Sequence, residues 1–210
     1  MVFLISSTIG YLLGSFPSAY LLLKKSKGMD ITKEGSGNVG AMNSFEVSNS
    51  KLIGISVFLI DFSKGAGSVL IPMLLFPDKL IYSAIALLFA VFSHCFNPWI
   101  KFKGGRGLAT AAGGAALLFP FLLGVWCALY VIFYMMKKNI LIANISATVF
   151  SLLIVFVITD IASKYVFPKS ENIGDLLLVS SAVLIIISIK HIEPLKELIS
   201  EIKTNRMNKK

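Results

Sequence analysis

The sequence predicts an all-α integral membrane protein of about seven transmembrane helices, with the N-terminus outside and the C-terminus cytoplasmic. Three observations predict it. Of the 210 residues, 56% are hydrophobic and only 15% charged, whereas ordinary soluble domains carry roughly a quarter charged residues. The apolar residues form long runs rather than alternations, and residues 1–23, 52–76 and 80–100 each match the ~20 residues that cross hydrocarbon. The Lys and Arg residues gather in alternate connections, as the positive-inside rule requires. Residues 1–210 read as a single polytopic membrane domain, with 190–210 a basic cytoplasmic tail that begins as an interfacial helix.

The first run has no charged segment before it and no A-x-A-like cleavage site after it, so it is expected to be a retained first span rather than a signal peptide. A polar loop, 24–51, follows. The second span is 52–76, and a short turn at 77–79 leads into the third, 80–100. After the basic loop 101–107 comes an apolar stretch, 108–136, that crosses once as a long helix or twice as two short ones. Pro120 lies inside it, where a proline removes one backbone hydrogen bond and clashes with the preceding turn. Residues 140–161 and 176–189 complete the spans.

Charge decides the count. With a break at Pro120, loop 24–51 carries five Lys/Arg, 101–106 three, 137–138 two and 190–210 six, all on one side. Lys79, Lys164 and Lys169 are on the other, and Lys64 is within a span. A single crossing would split the charges almost evenly. Seven crossings therefore fit better, although each half of 108–136 is short for ~30 Å of hydrocarbon. The net charge of +9 reflects these loops and their attraction to anionic lipid or a phosphorylated substrate, and nucleic acid is not an expected partner. Cys95 and Cys127 stand alone in apolar runs, without the spacing of a disulfide framework or metal site.

Three polar blocks interrupt this pattern. In the first loop, Gly35, Gly37 and Gly40 match G-x-G-x-x-G. A dinucleotide fingerprint needs a preceding strand, and the flanks here are membrane spans. What remains is a set of closely spaced glycines whose N–H groups can form an anion-binding concavity, with Ser36, Asn38 and Asn43 as side-chain donors. The second block is Asp61 with Lys64, three residues apart on one helix face inside a span. A structural ion pair facing the bundle explains it, and so does a Lys64 that helps tune an anion site; a mid-span charge is costly either way. The third block runs from His94 to Thr110. Lys101, Lys103 and Arg106 alternate with aromatic and glycine residues, and Gly104, Gly105 and Gly107 open the start of a helix whose N-terminus attracts anions. Interfacial anchoring explains Trp99 and Lys101 but not Lys103-Gly104-Gly105-Arg106-Gly107. His94 is either a structural hydrogen-bonder or a base. His191 opens the tail on the side of both glycine loops.

Together with Gly14-Ser15-Phe16-Pro17, these blocks make nearly the whole chain resemble the bacterial acyl-phosphate:glycerol-3-phosphate acyltransferase family. The resemblance implies a seven-span enzyme of the bacterial plasma membrane with its active site facing the cytoplasm, expected to act as a monomer. It implies transfer of an acyl group from acyl phosphate to the 1-hydroxyl of glycerol 3-phosphate, giving lysophosphatidic acid and phosphate, with no metal and no cofactor. Ser36, Arg106 and His191 are the implied catalytic residues. Gly35, Gly37, Asn38, Gly40, Asn43, Lys64, His94, Lys103, Gly104, Gly105, Gly107 and Thr110 are the implied substrate contacts. The chain departs from the family pattern where Arg is usual at Glu46 and Glu197, Asn at Pro194, Thr at Met42 and Lys at Arg106, and the serine usual shortly after Lys138 is not evident. A divergent paralogue with altered or lost activity, and an anion transporter, are the competing expectations.

Overall fold

Prolines and glycines set where the helices stop. The computed structural model describes residues 1–77, 79–169 and 172–207; residue 78 of the expected turn and the last three residues of the tail lie outside them. The first span is two helices, α1 (Val2–Gly14) and α2 (Ser18–Lys27). They part at Phe16-Pro17, because Pro17 has no N–H to continue the ladder. The short α3 (Ala41–Ser48) follows the first loop, and α4 (Lys51–Leu75), capped by the Ser50 hydroxyl, is the second span. Next come α5 (Leu80–Cys95), α6 (Leu108–Leu118), α7 (Pro120–Lys137) and α8 (Ile140–Val157). A one-turn α9 (Thr159–Ala162) leads to α10 (Ile173–Met207).

The chain breaks at Pro120 as expected: α6 ends at Leu118 and Pro120 opens α7, a position where its missing N–H costs nothing. Among the described residues six helices are long and apolar enough to cross a membrane, and α6, with 11 residues, adds a short apolar seventh. At 1.5 Å per residue α6 rises only about 16 Å. Two boundaries differ from expectation. The span expected over 140–161 ends at Val157, and the one expected over 176–189 is the middle of a continuous 35-residue helix that runs on through Pro194.

Small residues let the spans approach closely, which in a bilayer replaces the hydrophobic drive between helices. A Cβ on Gly10 or Gly14 of α1 would strike the Ala86 or Ala90 carbonyl of α5, and one on Gly65 of α4 would strike the Thr110 carbonyl of α6. The main core joins Val69, Leu87, Val91, Leu118, Val179 and Ile187 from α4, α5, α6 and α10. A smaller core of Ala19, Leu23, Ile31, Val39, Val57 and Ile100 supports the first loop from below. Outward faces are apolar and exposed, for example Leu4, Leu52 and Leu74, as hydrocarbon contact demands. Helix α7 buries no residue and packs mainly on α8.

Candidate active site

The loops after α2 and α5 meet at one end of the bundle, where the Val39 N–H donates to the Gly104 carbonyl (3.4 Å) and the Gly105 N–H to the His94 carbonyl (3.2 Å). The first loop holds its shape through Asn43, which is 2% exposed. Asn43 Nδ2 donates to the Glu34 carbonyl (3.1 Å) and the Asn38 carbonyl (3.0 Å), and its Oδ1 accepts the Ser36 N–H (3.1 Å). Both amide hydrogens are thus used within the loop, so Asn43 shapes the site rather than adding the free donor expected from sequence. Gly35 and Gly37 have φ of +56° and +66°, the left-handed region that glycine enters without strain. The Ser36 side chain stands exposed at the rim.

The glycines of the second loop serve packing. A Cβ on Gly104 would strike the His94 and Cys95 carbonyls, and one on Gly105 would strike the His94 ring. Their absence of side chain seats the loop on the end of α5. Gly107, at φ +81°, turns the chain into α6, and Thr110 is buried one turn later against α4. Lys103 is exposed, whereas Arg106 points inward and is half-buried.

Beneath both loops lies a buried polar network. Lys64 Nζ pairs with Asp61 at 2.7 Å, the side chains being 7% and 2% exposed. Lys64 also donates to the Phe16 carbonyl (2.8 Å), which accepts the Ser18 N–H as well (2.9 Å), and approaches His94 Nδ1 (3.4 Å). Ser18 donates to Asp61, and Asn97 Nδ2 donates to the Ser15 carbonyl (2.7 Å). The network therefore ties α1, α2, α4 and α5 together under the loops. An ammonium can only donate, so His94 Nδ1 accepts and Nε2 carries the proton. Lys64 is committed to this network and does not line the cavity described next, although Asp61 and His94 do.

A cavity of ≈ 400 Å³ opens at this end and runs down between α6, α7, α8 and α10. Asn38, Gly40, His94 and Arg106 line its mouth, and Ala112, Leu122, Trp126, Val155 and Leu184 its depth. Its size is ordinary for a small-molecule site. His191 is 2% exposed; its Nδ1 donates to the Ile187 carbonyl (2.8 Å), and its Nε2 is buried without a partner among the described residues. Arg106 lies within electrostatic reach of His191. Burial draws the Arg106 guanidinium below its usual range, and Glu197 and Glu46 act in the opposite direction. Two acids 151 positions apart in sequence thus face one arginine, a convergence no local signal could reveal. Among the described residues no three His, Cys, Asp or Glu side chains are grouped to hold a metal ion.

The chain's likenesses agree with one another. The sequence model for glycerol-3-phosphate acyltransferase matches residues 4–201. A glycerol-3-phosphate acyltransferase of Bacillus subtilis is 34% identical over 152 residues, covering 72% of this chain and 77% of that one. Glycerol-3-phosphate acyltransferase 5 of Dehalococcoides mccartyi is 40% identical over 121 residues, 57% of this chain and 51% of that protein. Here, as with the Helicobacter pylori protein (38% identical, 55% of each chain), the match spans about half the relative's length. The crystal structure of PlsY (YgiH), an integral membrane glycerol 3-phosphate acyltransferase, in its glycerol 3-phosphate form superposes with a TM-score of 0.78 at 28% identity, covering 96% of this chain and 94% of the other.

Proposed function

The chain belongs to the glycerol-3-phosphate acyltransferase family, and on that premise we propose that it transfers a fatty acyl group from acyl phosphate to the 1-hydroxyl of sn-glycerol 3-phosphate. The products are lysophosphatidic acid and phosphate. One observation carries the reading: a single cavity joins a polar mouth at Arg106 and Asn38 to an apolar trough between α6, α7, α8 and α10. A phosphate fits the first and an acyl chain the second, so the ester-forming carbon would lie at their junction.

Acyl phosphate is already activated, and the remaining task is to hold two anionic substrates together and stabilise the charge that develops. Arg106 and Lys103 supply positive charge, and Asn38 and the N-terminus of α6 supply donors. The hydroxyl oxygen bonds to the acyl carbon, the carbon–oxygen bond to phosphate breaks, and the hydroxyl proton ends on the departing phosphate. The family resemblance assigns His191 the task of orienting the substrate hydroxyl; its Nε2 is unpartnered among the described residues and within electrostatic reach of Arg106, which supports that role. Acting as a monomer, the enzyme would sit in the bacterial plasma membrane with this mouth facing the cytoplasm, since loops 24–51 and 101–106 hold eight of the twenty Lys/Arg.

Glu46 and Glu197, which oppose phosphate at Arg106, support a second reading: a paralogue with altered or lost activity. Purified protein supplied with palmitoyl phosphate and labelled glycerol 3-phosphate separates the two. Lysophosphatidic acid is expected from palmitoyl phosphate and not from palmitoyl-CoA. Arg106→Ala is expected to lower the rate by about 10²–10³, as loss of one charge-stabilising donor does, and Ser36→Ala to lower it as well. Absence of product from folded protein supports the paralogue instead.

A further inference from the structure

Asn144 stands out among the polar side chains of the spans. It lies in α8, is 9% exposed and lines the wall of the cavity. Its backbone carbonyl accepts the Thr148 hydroxyl (2.8 Å), yet its side-chain amide has no hydrogen-bond partner among the described residues. An amide that faces a cavity between spans and finds no protein partner is costly to leave unmet, more so in hydrocarbon than elsewhere. Of its neighbours, Ser180 returns its hydroxyl to the Leu176 carbonyl and Trp126 donates to Thr148, whereas the Ser151 hydroxyl, further along the same wall, is buried without a partner among the described residues.

The position of Asn144 along the cavity follows from packing. Helices α7 and α8 are antiparallel, joined by the turn at Lys138 and Asn139, and the Trp126–Thr148 bond (3.1 Å) fixes their register. Four residues toward the turn on each helix bring Tyr130 level with Asn144, and both line the cavity. Asn144 is five residues inside α8 from its Asn139 cap, or about 7 Å at 1.5 Å per residue. It therefore lies beyond the charged mouth but well above Ser151 and Val155 further along the same wall. A phosphate is better held by the charges at the mouth. The methylenes of an acyl chain offer nothing to an amide. The group between them, neutral and hydrogen-bond-accepting, is the acyl carbonyl.

We propose that Asn144 donates from Nδ2 to the carbonyl oxygen of the acyl donor at the point where the chain enters the apolar trough. This rests on the acyl phosphate reading above. As the substrate hydroxyl oxygen adds to the carbonyl carbon, that oxygen gains negative charge and the same hydrogen bond strengthens; when the bond to phosphate breaks, the carbonyl is restored and remains bonded to Asn144 in the product ester. The amide thus favours the transition state over either end state, as a donor aimed at developing charge should.

Two inert ligands isolate the carbonyl. 2-Oxoheptadecylphosphonate keeps the carbonyl with CH₂ in place of the bridging oxygen, and hexadecyl phosphate lacks it. Binding of both is measured by titration calorimetry in detergent micelles, with wild type, Asn144→Leu and Asn144→Ser. The wild type is expected to prefer the ketophosphonate, and Asn144→Leu to lose about tenfold in affinity for it alone, the scale of one hydrogen bond. Asn144→Ser, which keeps a hydroxyl donor, is expected to lie between. Leucine is close to asparagine in size and suits hydrocarbon better, and unchanged binding of hexadecyl phosphate shows that the variant is folded. Equal losses for both ligands, or no loss for either, overturn the proposal. Turnover of palmitoyl phosphate by wild type in parallel separates the cases: normal turnover with an indifferent Asn144→Leu removes only the role of Asn144, whereas no turnover removes the donor assignment itself.

Discussion

Replacing Lys64 by methionine leaves the Asp61 carboxylate, 2% exposed, with Ser18 as its one remaining close donor. The same change leaves the Phe16 carbonyl at the helix break without the ammonium that now bonds it at 2.8 Å. Breaking a buried pair from one side costs about 3–5 kcal/mol, most of it the penalty of a stranded charge. Removing both partners, as Asp61→Leu with Lys64→Met, strands no charge. What remains is the hydrogen bond lost at the Phe16 carbonyl, which keeps only the Ser18 N–H, and the freed Ser18 hydroxyl, about 1 kcal/mol each. The double variant should therefore be more stable than Lys64→Met by roughly 1–3 kcal/mol, a difference well above the noise of a double-mutant cycle. Denaturant unfolding in mixed micelles, followed by tryptophan fluorescence, reads it. If the double variant is at least as unstable as the single one, uncompensated charge is not what the pair prevents, and its role lies in the hydrogen bonds that join α1 to α4.

Two further outcomes follow from the same geometry. Glu46→Gln with Glu197→Gln removes the two carboxylates that face Arg106; the KM for glycerol 3-phosphate should fall severalfold, each partly screened charge contributing up to about 1 kcal/mol, and the gain should shrink at high salt. An unchanged KM at low salt would show that these acids do not act on the substrate phosphate. Gly65→Val sets a side chain against the Thr110 carbonyl and should destabilise by about 1–3 kcal/mol as an overpacked contact, detectable by the same unfolding assay, whereas Gly124→Val, which meets nothing within 4 Å, should not.

Local patterns were legible where hydrocarbon imposes them. A span must satisfy its own backbone and face lipid with apolar side chains, so spans 52–76 and 80–100, the break at Pro120 and the charged loops could be read directly. The Asp61–Lys64 pair was legible too, because three residues on a helix fix the distance between two side chains. Two of the polar blocks also meet at one end of the bundle. Individual roles within them were less legible. Asn43 looked like a free donor and is a brace; Gly104 and Gly105 looked like an anion cradle, and the clearance they give the end of α5 was not legible. In both cases the residue type suits either role, and only its neighbours decide.

A helical membrane protein with polar blocks in its loops could be read from the chain alone, since chain length, apolar runs and loop charge act along the chain and need no knowledge of the fold. Which distant residues share a space depends on tertiary packing. Glu46, Arg106 and Glu197 come from three separate segments, and Asn144 acquires meaning only because α7 and α8 close one wall of the cavity that Arg106 opens. Such meetings depend on which helix faces pack together, and in a bilayer every outward face is apolar, so hydrophobicity alone does not tell a lipid-facing stripe from one that lines a site.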